Sequence, residues 1–212
     1  MTTVKHWYVY MAAAVTVAFL VGFFWDQTPI PPNQIPWNSN TSLEWNDFQG
    51  TPPQTTPYSA ATGYYLGYKD LVWRQYFVDD VCTFVISSVD VDAYVDRTLS
   101  WVKDGSQSSE LLSHEQGHAD ILHVKALVLG KALWALVGMP HQCPDNDPAK
   151  VQQEVEDMVN SIYNPIFDSH DRLQDEYDSD TDHGRNPDEQ RRWNQRLSDI
   201  FMPPPPNPII PL

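Results

Sequence analysis

The sequence predicts an α+β fold, a strand-rich N-terminal part followed by three helices. Three observations carry this. Residues 42–105 hold alternating or β-branched runs broken by turn residues. From Ser109 onward apolar residues recur three and four positions apart, the spacing of a helix face. The first helical run also contains His114-Glu115-Gln116-Gly117-His118, which places the distinctive chemistry in the helical half.

The strand runs are 60–68, 71–77 and 81–89. The first helix follows a Gly-Ser-Gln-Ser-Ser stretch, with Ser108 or Ser109 as its cap, and is expected to end at Gly138 with Pro140 beyond. A second begins with Asp147 as cap and Pro148 in its first turn. Its stripe runs Val151, Val155, Met158, Ile162, Ile166, His170, Leu173 and Tyr177, with a kink expected at Pro165. Asn186, Pro187 and Glu189 announce a third helix, reaching Phe201.

The two ends differ from this central domain, which spans 42–202. Residues 7–25 are uncharged, have aromatics at both ends and are long enough to cross a bilayer core. They predict a transmembrane anchor over 1–25. Lys5 precedes the run and no Lys or Arg follows it until Lys69, which points to a single pass with the N-terminus cytoplasmic and the domain outside. The alternative is a signal peptide, cleaved to leave a secreted protein. Residues 26–41 form a Pro- and Asn-rich linker, and 203–212 a Pro-rich tail.

Lys and Arg number 13 against 28 Asp and Glu, a net charge of -15. Such a chain repels phosphate backbones, so nucleic acid is excluded as a partner. Cys82 and Cys143 would pair in an oxidising compartment, but spacing alone leaves the bond open.

On a helix, His114 and His118 lie one turn apart on the same face, able to share one zinc ion, while Glu115 can take a proton from a water at that ion. This makes the expected fold zincin-like and the expected cofactor Zn2+. A catalytic zinc needs a third protein ligand. His123 lies roughly opposite the pair, at about 100° per residue. His170, His183 and carboxylates such as Glu154 stay open for that place. Residues 178–189 also admit a calcium reading: Asp178, Asp180, Asp182 and Glu189 match positions 1, 3, 5 and 12 of an EF-hand loop, but His183 stands where that loop needs glycine.

Several separated blocks resemble a family of predicted zinc-dependent proteases, the domain-of-unknown-function family numbered nine hundred and twenty-two. They are Leu43-Glu44-Trp45-Asn46-Asp47-Phe48-Gln49-Gly50 with Pro52-Pro53, then Ser100-Trp101-Val102, then residues 111–121 around the histidine motif, and finally Tyr177-Asp178 with Thr181, His183-Gly184, Gln190 and Trp193. The resemblance covers most of the domain and implies a metallopeptidase. It favours His114, His118 and His183 as zinc ligands, with His170 the alternative third, and Glu115 as base. Asp120 belongs to that family's pattern; with Asp178 it is expected to support the ligands from behind. Tyr177 and His170 are candidates to stabilise the developing oxyanion. The expected partner is a peptide or protein substrate, with the membrane engaged through the N-terminal helix. The competing expectations are a non-catalytic, metal-stabilised envelope or binding protein, and a calcium-binding domain using residues 178–189.

Overall fold

The structure, a computed structural model, describes residues 30–36 and 41–201. The elements below lie in the unit Pro32–Leu212. Strands β3 (Tyr64–Val78) and β4 (Val81–Asp96) form one long antiparallel hairpin. Its turn residues, Asp79 and Asp80, both have positive φ (47° and 62°), a backbone whose twist matches paired strands and which short aspartates tolerate. Where the sequence suggests two strands, 60–68 and 71–77, residues 60–61 belong to a separate short strand and β3 runs unbroken from Tyr64 through the second run. An irregularity between Lys69 and Val72, with Asp70 at φ 52°, absorbs the break in pattern without ending the pairing.

The other edge of β4 is shared. Strand β1 (Gln34–Pro36) pairs with its residues 94–96, and β6 (Pro140–Gln142) with residues 83–85. A separate small sheet joins β2 (Ala60–Ala61) to β5 (Trp101–Val102).

The three predicted helices form: α1 (Ser109–Trp134), α2 (Val151–Thr181) and α3 (Pro187–Phe201). Ser108 caps α1 by accepting the Leu111 N–H. Helix α1 stops short of Gly138 because the sheet captures the chain: Val137 bridges to Ile86, and the Gly138 N–H donates to the Ile86 carbonyl at 2.9 Å. Asp147 accepts the Ala149 N–H in a 3₁₀ turn, Pro148–Lys150, that leads into α2. Helix α2 continues through Pro165 as one element, because Ile162, Tyr163 and Ile166 around the missing N–H are packed onto the core.

Helix α1 lies between the sheet and the other helices. Leu122, Leu129 and Leu133 meet Leu66, Val89 and Val95 of the sheet and Val159 of α2, while neighbouring Ile121 meets Tyr177, Trp193 and Leu197. Each such fully buried side chain contributes about 1.5–3 kcal/mol relative to exposure. Burial on more than one side explains why polar groups on α1 need partners.

The single-pass membrane expectation is corrected: among the described residues no helix is long and apolar enough to cross a membrane. Long α2 fails physically because acids and amides recur along it and its apolar stripe is spent on the core. Residues 1–25, which suggested the anchor, and the tail 203–212 lie outside the described residues.

Cys82 of β4 and Cys143, just past β6, are bonded to each other and buried beside Phe84, Ile86, Val151 and Val155. Closing a loop of 61 residues stabilises the fold by about 4 kcal/mol in the chain-entropy model. Replacing both cysteines by alanine is expected to lower the unfolding free energy by about 2–5 kcal/mol, read as an earlier denaturant midpoint. An unchanged midpoint would contradict the bond.

Candidate metal centre

His114 and His118 stand one turn apart on α1, and α2 crosses close enough to bring Asp178 against both. His114 Nε2 lies 3.1 Å from Asp178 Oδ1, His118 Nε2 lies 3.2 Å from it, and the two Nε2 atoms are 3.2 Å apart. Two glycines permit this approach. A Cβ on Gly117 would sit 2.1 Å from the Tyr177 hydroxyl, so only glycine lets α2 pass there. Gly184, at φ +79°, wraps past the His114 ring, where a Cβ would come within 2.9 Å of the His114 Cβ.

Two glutamines fix the imidazole tautomers. The Gln174 amide nitrogen donates to the His118 carbonyl (3.1 Å) and to His170 Nε2 (3.0 Å), which turns its oxygen to accept from His118 Nδ1 at 2.6 Å. The Gln190 amide nitrogen donates to the Tyr177 hydroxyl (2.6 Å) and to Asn194 Oδ1 (2.8 Å), which turns its oxygen to His114 Nδ1 at 3.2 Å. Both Nδ1 atoms therefore carry hydrogen, and both Nε2 lone pairs point at the Asp178 carboxylate.

Three acceptors facing one another at 3.1–3.2 Å require a cation or a proton between them. A tetrahedral ion with ligand bonds near 2.0–2.1 Å separates its ligand atoms by about 3.3–3.4 Å, close to what the side chains present. His114, His118 and Asp178 thus form a possible metal-binding triad. Without an ion, a proton serves. Burial works against charge on His118, but hydrogen bonding to Asp178 and the nearby Glu115 and Asp178 charges outweigh it and raise its pKa. Burial likewise opposes charge on Asp178, and its interaction with the His114 and His118 imidazoles, once they carry the proton, outweighs that and holds its carboxyl well below the usual range.

Glu115 is 2% exposed, yet it lines the same cavity of about 740 Å³ as the triad. Thr62, just after β2, donates its hydroxyl to Glu115 Oε2 at 2.7 Å. The opposite wall comes from α2 and the turn after it, through Gln174, Asp175, His183 and Gly184. His183 follows Asp182 in a left-handed turn (φ 49° and 52°), which folds its ring back so that Nδ1 lies 3.3 Å from Asp178 Oδ1.

Several sequence expectations change place. Asp178, expected behind the ligands, is the carboxylate of the triad, and His183, favoured as third ligand, stands beside Asp178. His170 is fully buried, accepts from Gln174 through Nε2 and donates from Nδ1 to Asp171 (3.2 Å), so it is no ligand but a brace for Gln174. Burial lowers its pKa more than Asp171 raises it. Tyr177, a candidate oxyanion donor, is fully buried away from the cavity. Its hydroxyl donates to the His114 carbonyl at 2.9 Å, its ring stacks on His114 at 4.8 Å, and burial raises its pKa. Asp120 accepts from the Gln116 amide at 2.9 Å, whose oxygen takes the Leu43 N–H at 2.9 Å, which secures the chain at residue 43.

The calcium reading of 178–189 does not match the backbone. Asp178 and Asp180 lie within α2, and the carboxylates diverge: Asp180 takes the Trp193 indole N–H (3.1 Å) and Asp182 pairs with Arg185 (2.8 Å). An EF-hand needs them converging in an open loop.

Thr62 and Gln174 are absent from the sequence reading. Gln174 leaves a trace, being a polar residue one turn after His170 and one turn before Asp178 on a buried face. Thr62 leaves none, since its contact with Glu115 spans 53 positions.

Gln174→Leu is expected to weaken metal binding, with zinc as the probe ion, by about 10–100-fold; competition against a fluorescent chelator measures it. A metal ion bound by the triad would also have to displace the proton shared with His118. With that pKa raised, affinity should begin to fall above the ordinary histidine value of about 6.5 as pH decreases, with proton release on binding seen by calorimetry in different buffers. Affinity independent of pH across this range would contradict the assignment.

Comparison of the chain with protein-family models, curated proteins and solved structures finds no match, so the functional reading rests on the residues themselves.

Proposed function

We propose that this chain is a zinc-dependent metallopeptidase with a zincin-like site. The observation that carries the reading is that His114, His118 and Asp178, with lone pairs already aimed at one point, open with the buried carboxylate of Glu115 into one cavity. Two imidazoles and one carboxylate are a donor set suited to zinc rather than to magnesium or calcium, which prefer all-oxygen sites. Three protein donors is also the usual number for a catalytic zinc, against four for a structural one. The resemblance of the sequence blocks to predicted zinc-dependent proteases supports the same reaction.

A zinc ion held there supplies Lewis acidity, making a water acidic enough to deprotonate near neutral pH and polarising a carbonyl. The chain's own residues do the rest. Glu115 accepts the proton of the attacking water and passes it to the leaving amine. The Thr62 hydroxyl keeps the Glu115 carboxylate turned to the cavity, Gln174 and Gln190 hold the imidazoles, and His183 steadies Asp178. The net charge of -15 supports a polypeptide over a nucleic acid substrate. The buried disulfide supports an oxidising compartment.

The test is zinc content and peptide hydrolysis in the wild type and in Glu115→Gln. Both are expected to bind about one zinc per chain, with turnover of a peptide library falling by about 10²–10⁴-fold in the variant. Zinc in both proteins with hydrolysis in neither would leave a metal-stabilised binding protein instead.

A further inference from the structure

Amide hydrolysis builds negative charge on the substrate's carbonyl oxygen, and a preorganised donor at that point is worth more than the same donor in water. Tyr177 and His170 have their polar atoms engaged inside the core. The Gln174 amide is spent on His118 and His170, and the Arg185 guanidinium on Asp182. Tyr64 differs. It lines the cavity with His118, Glu115 and Asp178, and its hydroxyl has no hydrogen-bond partner among the described residues.

Its position is rigid. Tyr64 pairs with Val95 at the start of β3, and its ring is gripped edge-on by His170, with centroids 4.8 Å apart at 80°. That same His170 braces Gln174 and, through it, His118. Thr62, two positions earlier, holds Glu115. Thr62 and Tyr64 both line that cavity, so one short segment brings the residue that holds the base and the Tyr64 side chain to the same opening.

Resting on the peptidase reading above, we propose that Tyr64 is a catalytic residue whose hydroxyl donates a hydrogen bond to the substrate's carbonyl oxygen as the tetrahedral species forms. In that step the water oxygen bonds to the carbonyl carbon, the carbonyl π pair moves onto its oxygen, and the water's proton goes to Glu115. The C–N bond then breaks as that proton reaches the amine. Tyr64 keeps its own proton throughout. Burial, with the charges of Asp171, Asp178 and Asp175, pushes its pKa up to about 12, so it is a donor at neutral pH.

The experiment compares wild type, Tyr64→Phe and Glu115→Gln as zinc-loaded full chains, measuring zinc content, kcat and KM. Tyr64→Phe is expected to keep its zinc and lower kcat by about 10²–10³-fold with KM little changed. Wild-type kcat in Tyr64→Phe, beside a dead Glu115→Gln, overturns the Tyr64 role and leaves the peptidase standing. Wild-type turnover no greater than that of Glu115→Gln overturns both. Site-specific fluorotyrosine at position 64 keeps the ring and the hydroxyl, so it guards against a folding artefact in Tyr64→Phe. It is expected to retain turnover near the wild-type level, and a loss as deep as that of Tyr64→Phe overturns the proposal.

Discussion

Two imidazole lone pairs and a carboxylate oxygen held 3.1–3.2 Å apart repel one another unless a positive charge sits among them. Much of the molecule serves to keep them there. Gln174 and Gln190 deny His118 and His114 the tautomers that would relieve the conflict. Tyr177 stacks on His114 and ties its carbonyl, while Gly117 removes the one side chain that would hold α2 away. The local cost is borne by the core around it, where α1 is anchored in apolar contact with the sheet on one side and with α2 and α3 on another.

This makes the site a product of helix packing more than of any loop. Both histidines, Glu115, Gln174, Asp178 and Gln190 all lie on helices, whose side chains are placed to within a fraction of a turn by backbone geometry. The sheet enters at two points. Thr62 reaches Glu115 beside β2, and Tyr64 opens β3 against His170. The disulfide and the β6 pairing tie the distal part of the hairpin to the start of α2, which limits how far that helix can shift on α1.

The placement of Asp178 against both histidines, with His183 beside it, follows from where α2 ends. A loop beginning at Asp178 would leave its carboxylate free to stand behind a histidine and would let His183 swing in. Helix α2 instead continues to Thr181, which fixes Asp178 on the face toward α1, and the left-handed turn at Asp182 and His183 brings the second ring to rest against that carboxylate.

The sequence by itself determined the local features. Helical spacing in residues 109–134 puts His114 and His118 on one face, the capping signals at Ser108, Asp147 and Asn186 mark the helix starts, and the alternating runs mark the hairpin strands. These depend on neighbours within a turn or a pleat, so they can be read along the chain. The tertiary structure alone decided which carboxylate meets the histidines, which amides set their tautomers, and that Tyr177 and His170 belong to the core rather than to the cavity. It also decided that Cys82 and Cys143 meet and that α1 yields at Val137 to the sheet. Each of these is a contact across tens of residues, set by how two packed surfaces register, and no spacing within one segment encodes that register.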